Sequence, residues 1–285
     1  MDRIEACRAR YAAMLARSAG ATGTLLERAF ALVPREQFVG PGPWLVEGHH
    51  GFVPAPPDDP AILYQDVLVA LSVERGINNG QPSLHAGSLA ALAIRPGERV
   101  VHIGAGTGYY TAILAELAGP QGQVLAYEIE SDLAARARAN LKPWPTVEVL
   151  AASACESPLA EADAIYVSAG ATHPLPSWLD ALAPGGRLMF PLTSDHGGGM
   201  LLVARPGPGR DLRDRRGMGY AAGFTSSAAF IACRGARSED NARAVAAAFR
   251  DGSPARVRSL WRGGQADETA WCLGSGWWLS RAAIS

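Results

Sequence analysis

The sequence is short of charge, cysteine and lysine, and each shortage excludes a class of function. Charged residues make up 19% of the 285 positions and the formal net charge is −1, so no basic excess favours binding to nucleic acid or to an anionic membrane. The four cysteines contain no CxxC pair, which excludes a zinc ribbon, a thioredoxin-like motif and a cysteine-ligated iron–sulfur cluster. Lys142 is the only lysine, so Schiff-base and phosphate-loop chemistry have a single candidate, in a poor context.

The chain also lacks a long apolar run. No stretch reaches the roughly 18 residues of a membrane span, and the opening MDRIEACRAR does not have the pattern of a signal peptide. We therefore expect a cytoplasmic protein with no membrane partner, no nucleic-acid partner and no metal. The composition is compatible with an oligomer but does not require one.

The middle of the chain alternates between two hydrophobic patterns. Short apolar runs at 99–103, 124–129, 147–150, 164–168 and 187–190 predict strands. Apolar residues at helical spacing lie between most of these runs and predict connecting helices. Strands that alternate with helices predict an α/β fold with a doubly wound parallel sheet.

The segments outside this alternation suggest a division into three parts. Residues 1–75 are predicted to hold N-terminal helices and a Gly/Pro-rich loop, and residues 76–205 the α/β core. Residues 206–285 are predicted to form a C-terminal α+β extension. This extension is expected to serve the substrate side or an oligomer contact.

Two flanking segments carry more detailed expectations. Residues 40–60 are so rich in glycine and proline that we expect an irregular binding loop or lid. Residues 271–280 are predicted to form a final strand. Because side chains alternate along a strand, Trp277 and Trp278 would face opposite ways, one packed and one exposed.

A glycine-rich turn with an acidic partner is the most informative pattern in the sequence. Gly104, Gly106 and Gly108 follow a predicted strand and precede a predicted helix, where a missing Cβ lets a ligand lie against the backbone. Glu128 ends the next predicted strand, where a carboxylate can accept hydrogen bonds from a ribose diol. The dinucleotide fingerprint G-x-G-x-x-G does not fit, because Tyr109 stands where the last glycine is needed. Residues 102–108 instead resemble the E/D/H-x-G-x-G-x-G loop of class I methyltransferases.

Further motifs resemble one family of class I methyltransferases, the protein-L-isoaspartate O-methyltransferases. The stretch N-N-G-Q-P-S-L-H-A (78–86) stands where that family has T-I-S-x-P-x-x-x-A. V-P-R-E-Q-F-V (33–39), A-D-A-I-Y-V-S-A-G-A (162–171) and L-A-P-G-G-R-L-M-F-P-L (182–192) are also similar to family motifs. The resemblance covers about residues 25–205. It implies a Rossmann-like class I methyltransferase sheet, S-adenosylmethionine as cofactor, and methylation of isoaspartyl carboxylates in proteins or peptides.

The resemblance also implies roles for individual positions. The implied cofactor-binding residues are Ile77, Asn78, Asn79, Gly80, His85, Gly104, Ala105, Gly106, Thr107, Gly108, Glu128, Ser153, Ala154 and Thr225. The implied catalytic residues are Asn79, Gly80 and His85. Within these sets, residues 77–80 would line the methionine end of the cofactor and the substrate, and residues 104–108 would hold the methionine moiety. Glu128 would bind the ribose, and residues 153–154 would lie beside the adenine.

Two positions depart from the family pattern, and they leave the acceptor open. Gly80 replaces the family serine that contacts the reacting carboxylate, and Ser153 replaces an adenine-side aspartate. One alternative is therefore a related methyltransferase acting on a biosynthetic peptide or a small molecule. A second is an S-adenosylmethionine-binding protein without transferase activity, and a nicotinamide dehydrogenase is more distant. An amine or phenol acceptor would need a general base, for which His85, His102 and His173 are candidates.

Overall fold

The structure is a computed structural model, and it describes residues 2–55, 59–156, 158–209 and 213–284. Its helices are α1 (Arg3–Ser18), α2 (Leu25–Leu32), α3 (Glu36–Val39), α4 (Pro82–Leu92), α5 (Tyr109–Ala118), α6 (Ser131–Asn140), α7 (Pro176–Asp180) and α8 (Glu239–Asp251). Its strands are β1 (Leu45–Gly48), β2 (Gly51–Pro54), β3 (Ala70–Ser72), β4 (Ile77–Asn78), β5 (Arg99–Ile103), β6 (Gln123–Tyr127), β7 (Val147–Leu150), β8 (Ala162–Val167), β9 (Leu182–Ser194), β10 (Gly197–Ala204), β11 (Arg213–Asp214), β12 (Gly217–Ser227), β13 (Ser259–Arg262), β14 (Ala270–Gly274) and β15 (Trp277–Ser280). Short 3₁₀ helices span Pro60–Tyr64 and Pro254–Arg256.

Side-chain caps set the starts of several helices. Asp2 and Glu5 form a capping box at the start of α1, so two amide groups at this end are satisfied reciprocally. Ser238 caps α8 by accepting a hydrogen bond from the Asn241 amide.

The first of two compact units comprises Met1–Glu98 and Ala105–Ala152. Within it, β1 pairs with β2 and β3 with β4 in antiparallel hairpins, while β6 and β7 run parallel. Helices α1, α2 and α5 bring together an aromatic cluster in which the Phe30 ring lies edge-on to Tyr11 and Tyr109. A second apolar cluster centres on Leu63 and Val69, both fully buried.

The second unit comprises Arg99–Gly104 and Ser153–Ser285. Its strands follow the order β14-β15-β13-β12-β10-β9-β8-β5, with β11 paired to β12. β5, β8 and β9 are parallel, as predicted for the α/β core. The strands from β9 onward pair antiparallel. Tight turns join β9 to β10 and β14 to β15, whereas α8 lies in the longer connection from β12 to β13.

The flanking segments correct two expectations. Residues 40–60 are not irregular throughout: β1 and β2 form a hairpin within them, and residues 56–58 lie outside the described ranges. Residues 271–280 belong to a hairpin of β14 and β15 rather than to one strand. Trp277 and Trp278 are both buried, because Asn241 of α8 bonds the first and Trp261 stacks on the second. Among the described residues, no helix is both long and apolar enough to cross a bilayer.

Candidate active site

The glycine-rich turn joins β5 to α5 and takes a conformation that glycine alone adopts readily. Gly104, Gly106 and Gly108 have φ angles of +79°, +57° and +96°. A Cβ on Gly108 would lie 2.7 Å from a methyl carbon of Leu141, so close packing against α6 also requires glycine there. Asn140 at the end of α6 donates a hydrogen bond to the Thr107 carbonyl at 2.9 Å. Residues 104–108 therefore form a tight glycine-dependent turn between β5 and α5, and their role in cofactor binding stays a prediction.

Glu128 is held against this turn by backbone groups. Its Oε2 accepts a hydrogen bond from the Gly106 amide at 2.7 Å, and its Oε1 accepts one from the Glu130 amide at 2.9 Å. The side chain is buried, at 6% exposure. These two bonds hold the carboxylate in a defined orientation beside the glycine-rich turn. A carboxylate acceptor suits the hydroxyl donors of the ribose of S-adenosylmethionine.

A second turn, at residues 78–80, leads from β4 into α4. Gly80 has φ +74°, and its amide donates to Asn78 Oδ1 at 2.8 Å. The His85 ring, one turn into α4, stacks on Tyr110 of α5 with centroids 3.6 Å apart and planes 8° apart. The Tyr110 hydroxyl lies 3.4 Å from the Gly80 carbonyl. Ile77, Asn78, Asn79, Gly80 and His85 thus belong to one local assembly in the first unit.

The His85 ring lies against position 80. A Cβ on Gly80 would lie 2.1 Å from His85 Nε2 and 2.8 Å from Cδ2. Neither serine nor any other side chain fits there while the ring keeps this position. The imidazole therefore occupies the space that the family serine would need.

Arg35 is a buried residue of this assembly whose role sequence reasoning missed. Its guanidinium donates to the carbonyls of Leu63 and Val67, each at 2.7 Å, and to Asn79 Oδ1 at 3.0 Å. Asn79 Oδ1 also accepts the Val69 amide at 3.1 Å, while its Nδ2 is buried without a partner in the described part of the chain. The available signal was the stretch V-P-R-E-Q-F-V (33–39), which contains Arg35 and resembles a family motif.

The predicted positions of the second unit have different surroundings. The Ser153 hydroxyl accepts the Cys155 amide at 3.2 Å, and the carbonyl of buried Ala154 accepts the Trp178 indole at 3.3 Å. Thr225 is exposed on β12, and its hydroxyl bonds the Met200 carbonyl. Three strands of that unit separate β12 from β5, which leads into Gly104. The roles of Ser153, Ala154 and Thr225 stay predictions.

The two histidines at strand ends in the second unit are weak bases. Burial lowers the pKa of His102 to about 3, and its Nε2 lies 3.0 Å from the Ser168 hydroxyl. Burial also lowers the pKa of His173, whose Nδ1 lies 3.1 Å from Thr172 Oγ1. Both imidazoles are therefore neutral at pH 7. Among the described residues, no cluster of side chains has the composition of a metal site.

Comparison with known sequences links this site to one family. The family model described as Protein-L-isoaspartate(D-aspartate) O-methyltransferase matches residues 50–210. The Methanopyrus kandleri protein-L-isoaspartate O-methyltransferase is 36% identical over 173 residues, which cover 59% of this chain and 75% of that protein. The Aeropyrum pernix protein of the same name is 31% identical over 220 residues, covering 75% of this chain and 77% of that protein.

Solved structures show the same fold. A protein-L-isoaspartate O-methyltransferase superposes with a TM-score of 0.64 at 21% identity, covering 79% of this chain and 65% of the other. A Plasmodium falciparum structure of this type, in complex with S-adenosyl-L-homocysteine, has a TM-score of 0.62 at 19% identity, covering 80% and 98%. The predicted class I methyltransferase fold is thereby confirmed.

Proposed function

Because this chain belongs to the protein-L-isoaspartate(D-aspartate) O-methyltransferase family, we propose that it methylates isoaspartyl carboxylates in proteins or peptides. The observation that carries the proposal is the family match over residues 50–210. That range contains the glycine-rich turn, the fixed Glu128 carboxylate and the turn at residues 78–80. The cofactor is S-adenosylmethionine, which supplies a methyl group on a sulfonium.

The proposed acceptor chemistry requires no general base. An acceptor carboxylate has a pKa near 4 and is already ionised at pH 7, so no proton must be removed before attack. His102, with its pKa lowered to about 3, would be a poor general base for an amine or a phenol. What the protein contributes is alignment of acceptor and cofactor and exclusion of water.

We assign the binding work to the residues already described. Glu128 accepts the ribose hydroxyls, and the backbone at residues 104–108 carries the amino-acid end of the cofactor. Residues 78–80 face the acceptor, and the stack of His85 on Tyr110 holds that turn in place. Asn79 is oriented by Arg35 and is a positioning element of the same turn.

A methyl-transfer assay with labelled S-adenosylmethionine tests the proposal. The substrates are an isoaspartyl peptide and its normal aspartyl twin. Base-labile label on the isoaspartyl peptide alone is the expected result, because a methyl ester hydrolyses in base. Cofactor binding with no label on either peptide would refute the isoaspartyl acceptor.

A pair of glutamate variants tests the cofactor assignment separately. Glu128→Gln is expected to weaken cofactor binding by about 1.5–3 kcal/mol, the range for hydrogen bonds to a charged group. Glu148→Gln is the matched control, because Glu148 is exposed on β7. Equal affinities for the two variants would contradict the ribose assignment.

A second acceptor class is favoured by one observation. The space for a side chain at position 80 is filled by the His85 ring, so position 80 offers the acceptor no serine hydroxyl. A different carboxylate, on a biosynthetic peptide or a small molecule, would then be the substrate. Label on such an acceptor but not on the isoaspartyl peptide would favour this reading. The cytoplasmic location and the oligomeric state stay predictions.

A further inference from the structure

The hairpin of β3 and β4 is small, and its tip is tied to another part of the first unit. Each strand has only two or three residues, and their pairing is interrupted by a register shift. A two-stranded hairpin of this size is at best marginally stable alone. Other contacts must therefore hold it in place.

Arg75 at the hairpin tip supplies such contacts. Its Nη1 and Nη2 donate to the two carboxylate oxygens of Asp132 at 2.9 and 2.7 Å, and Nη1 also donates to Glu130 Oε2 at 2.9 Å. Its Nε lies 3.1 Å from Ser72 Oγ, which orients the guanidinium from within the hairpin. The hydrogen bonds from Arg75 lower the pKa of Asp132 to about 2, so the pair stays charged at neutral pH.

The anchoring carboxylates lie directly beside the predicted ribose site. Glu130 and Asp132 stand at the start of α6, two and four residues after Glu128. The Glu130 amide is also one of the two groups that hold the Glu128 carboxylate. The tip of the hairpin is thus fastened to the segment that positions the ribose acceptor.

The hairpin also reaches the glycine-rich turn through an apolar side chain. A methyl carbon of Leu71 on β3 lies 3.7 Å from where a Cβ on Gly106 would be. The return strand β4 runs directly into residues 78–80, the turn assigned to the acceptor. One small hairpin therefore contacts the cofactor turn, the ribose segment and the acceptor turn.

We propose that the hairpin at residues 70–78 is a clasp over the cofactor, and that Arg75 is the positioning residue that keeps it closed through Asp132 and Glu130. The inference rests on the proposed cofactor site and adds a residue to it. Cofactor exchange requires the clasp to loosen. The ion pairs therefore slow the release of the cofactor product.

Release of S-adenosylhomocysteine is the measurement that tests the clasp. Radiolabelled S-adenosylhomocysteine is bound to the full chain and chased with excess unlabelled compound. Arg75→Gln is expected to raise the dissociation rate about two- to fivefold, the range for a partly exposed ion pair. Asp132→Asn is expected to raise the dissociation rate as well, and to add little to the effect of Arg75→Gln in the double variant, because the pair is then already broken.

The chain offers a matched control in the same unit. Arg3 makes a comparable two-pronged pair with Asp59, with distances of 3.0 and 2.6 Å. Arg3→Gln should leave the release rate unchanged. Thermal unfolding of Arg75→Gln and of Arg3→Gln reports any general loss of stability. Equal release rates for Arg75→Gln and the unmodified chain would overturn the clasp. A faster rate in Arg75→Gln together with an unchanged rate in Asp132→Asn would overturn it too, because the effect would then belong to the Arg75 side chain alone. Absence of S-adenosylhomocysteine binding to the unmodified chain would instead refute the cofactor site.

Discussion

Gly80 provides the sharpest test of the acceptor turn, because the same hairpin region contains a matched glycine. Gly76 and Gly80 have φ angles of +64° and +74°, so alanine at either position is forced into the left-handed region. A Cβ on Gly76 would have no atom within 4 Å, whereas a Cβ on Gly80 would lie 2.1 Å from His85 Nε2. Both substitutions therefore carry the cost of the left-handed backbone, and only Gly80→Ala carries the additional cost of the clash with His85.

The sizes of the two costs follow from the structure. Left-handed backbone costs a non-glycine residue about 1–2 kcal/mol, which is the whole effect expected of Gly76→Ala. Gly80→Ala must in addition displace the His85 ring, which is 2% exposed and stacked on Tyr110. Overpacking of this kind adds about 1–3 kcal/mol. Gly80→Ser carries the same Cβ, so restoring the family residue is expected to destabilise the chain rather than improve it.

A double-mutant cycle with His85→Ala isolates the contact. Urea unfolding followed by circular dichroism gives the free energy of unfolding for both alanine variants, alone and in the His85→Ala background. In that background the ring is absent, so Gly80→Ala should cost no more than Gly76→Ala, with a coupling of about 1–3 kcal/mol. Equal costs for the two substitutions in the unmodified background would refute the view that the imidazole excludes a side chain at position 80.

Three further outcomes are expected. Arg35→Met should lower the free energy of unfolding by about 3 kcal/mol or more, because it leaves buried carbonyl groups without donors. The control is Arg28→Met, since Arg28 is exposed. A loss no larger than that of Arg28→Met would contradict the buried network. Burial lowers the pKa of His102 from 6.5 in the unfolded chain to about 3 in the folded chain, so the unfolded chain binds the proton first as pH falls and the folded state loses stability below pH 6.5. Between pH 7 and pH 5 the free energy of unfolding should fall by about 2 kcal/mol more than in His102→Gln. Parallel pH profiles for the two proteins would contradict this burial. The sulfur atoms of Cys155 and Cys233 lie 3.7 Å apart, so the two thiols should form one disulfide by exchange with a small-molecule disulfide, which is reduced to two thiols. Intact-mass analysis should show that the chain has lost two hydrogens, and Cys233→Ser should abolish this loss.

Much of the fold could be predicted because its signals are local. The strands β5 to β9 coincide with apolar runs of the sequence. The turn at residues 104–108 depends on glycines, and these have positive φ angles in the structure. The place of Glu128 beside that turn could be predicted from its spacing, and its role with the ribose stays a prediction. In each case the information lies within a few residues of chain, so periodicity and residue type are sufficient.

Other features depend on groups that are distant in sequence. Trp277 and Trp278 are both buried because Asn241 bonds the first and Trp261 stacks on the second. The alternation of side chains along one strand does not predict these two contacts. The hairpin at residues 45–54 formed despite a Gly/Pro-rich composition, because β1 and β2 pair with each other across a tight turn.

The acceptor turn shows the division most clearly. The sequence by itself determined that glycine stands at position 80 where the family has serine, and it determined the glycine-rich turn at residues 104–108. Only the tertiary structure decided why that glycine is required: α4 and α5 bring the His85 and Tyr110 rings together, and the imidazole then fills the space of a side chain at position 80. Steric exclusion between residues on different elements is set by how those elements pack, and no local pattern encodes it.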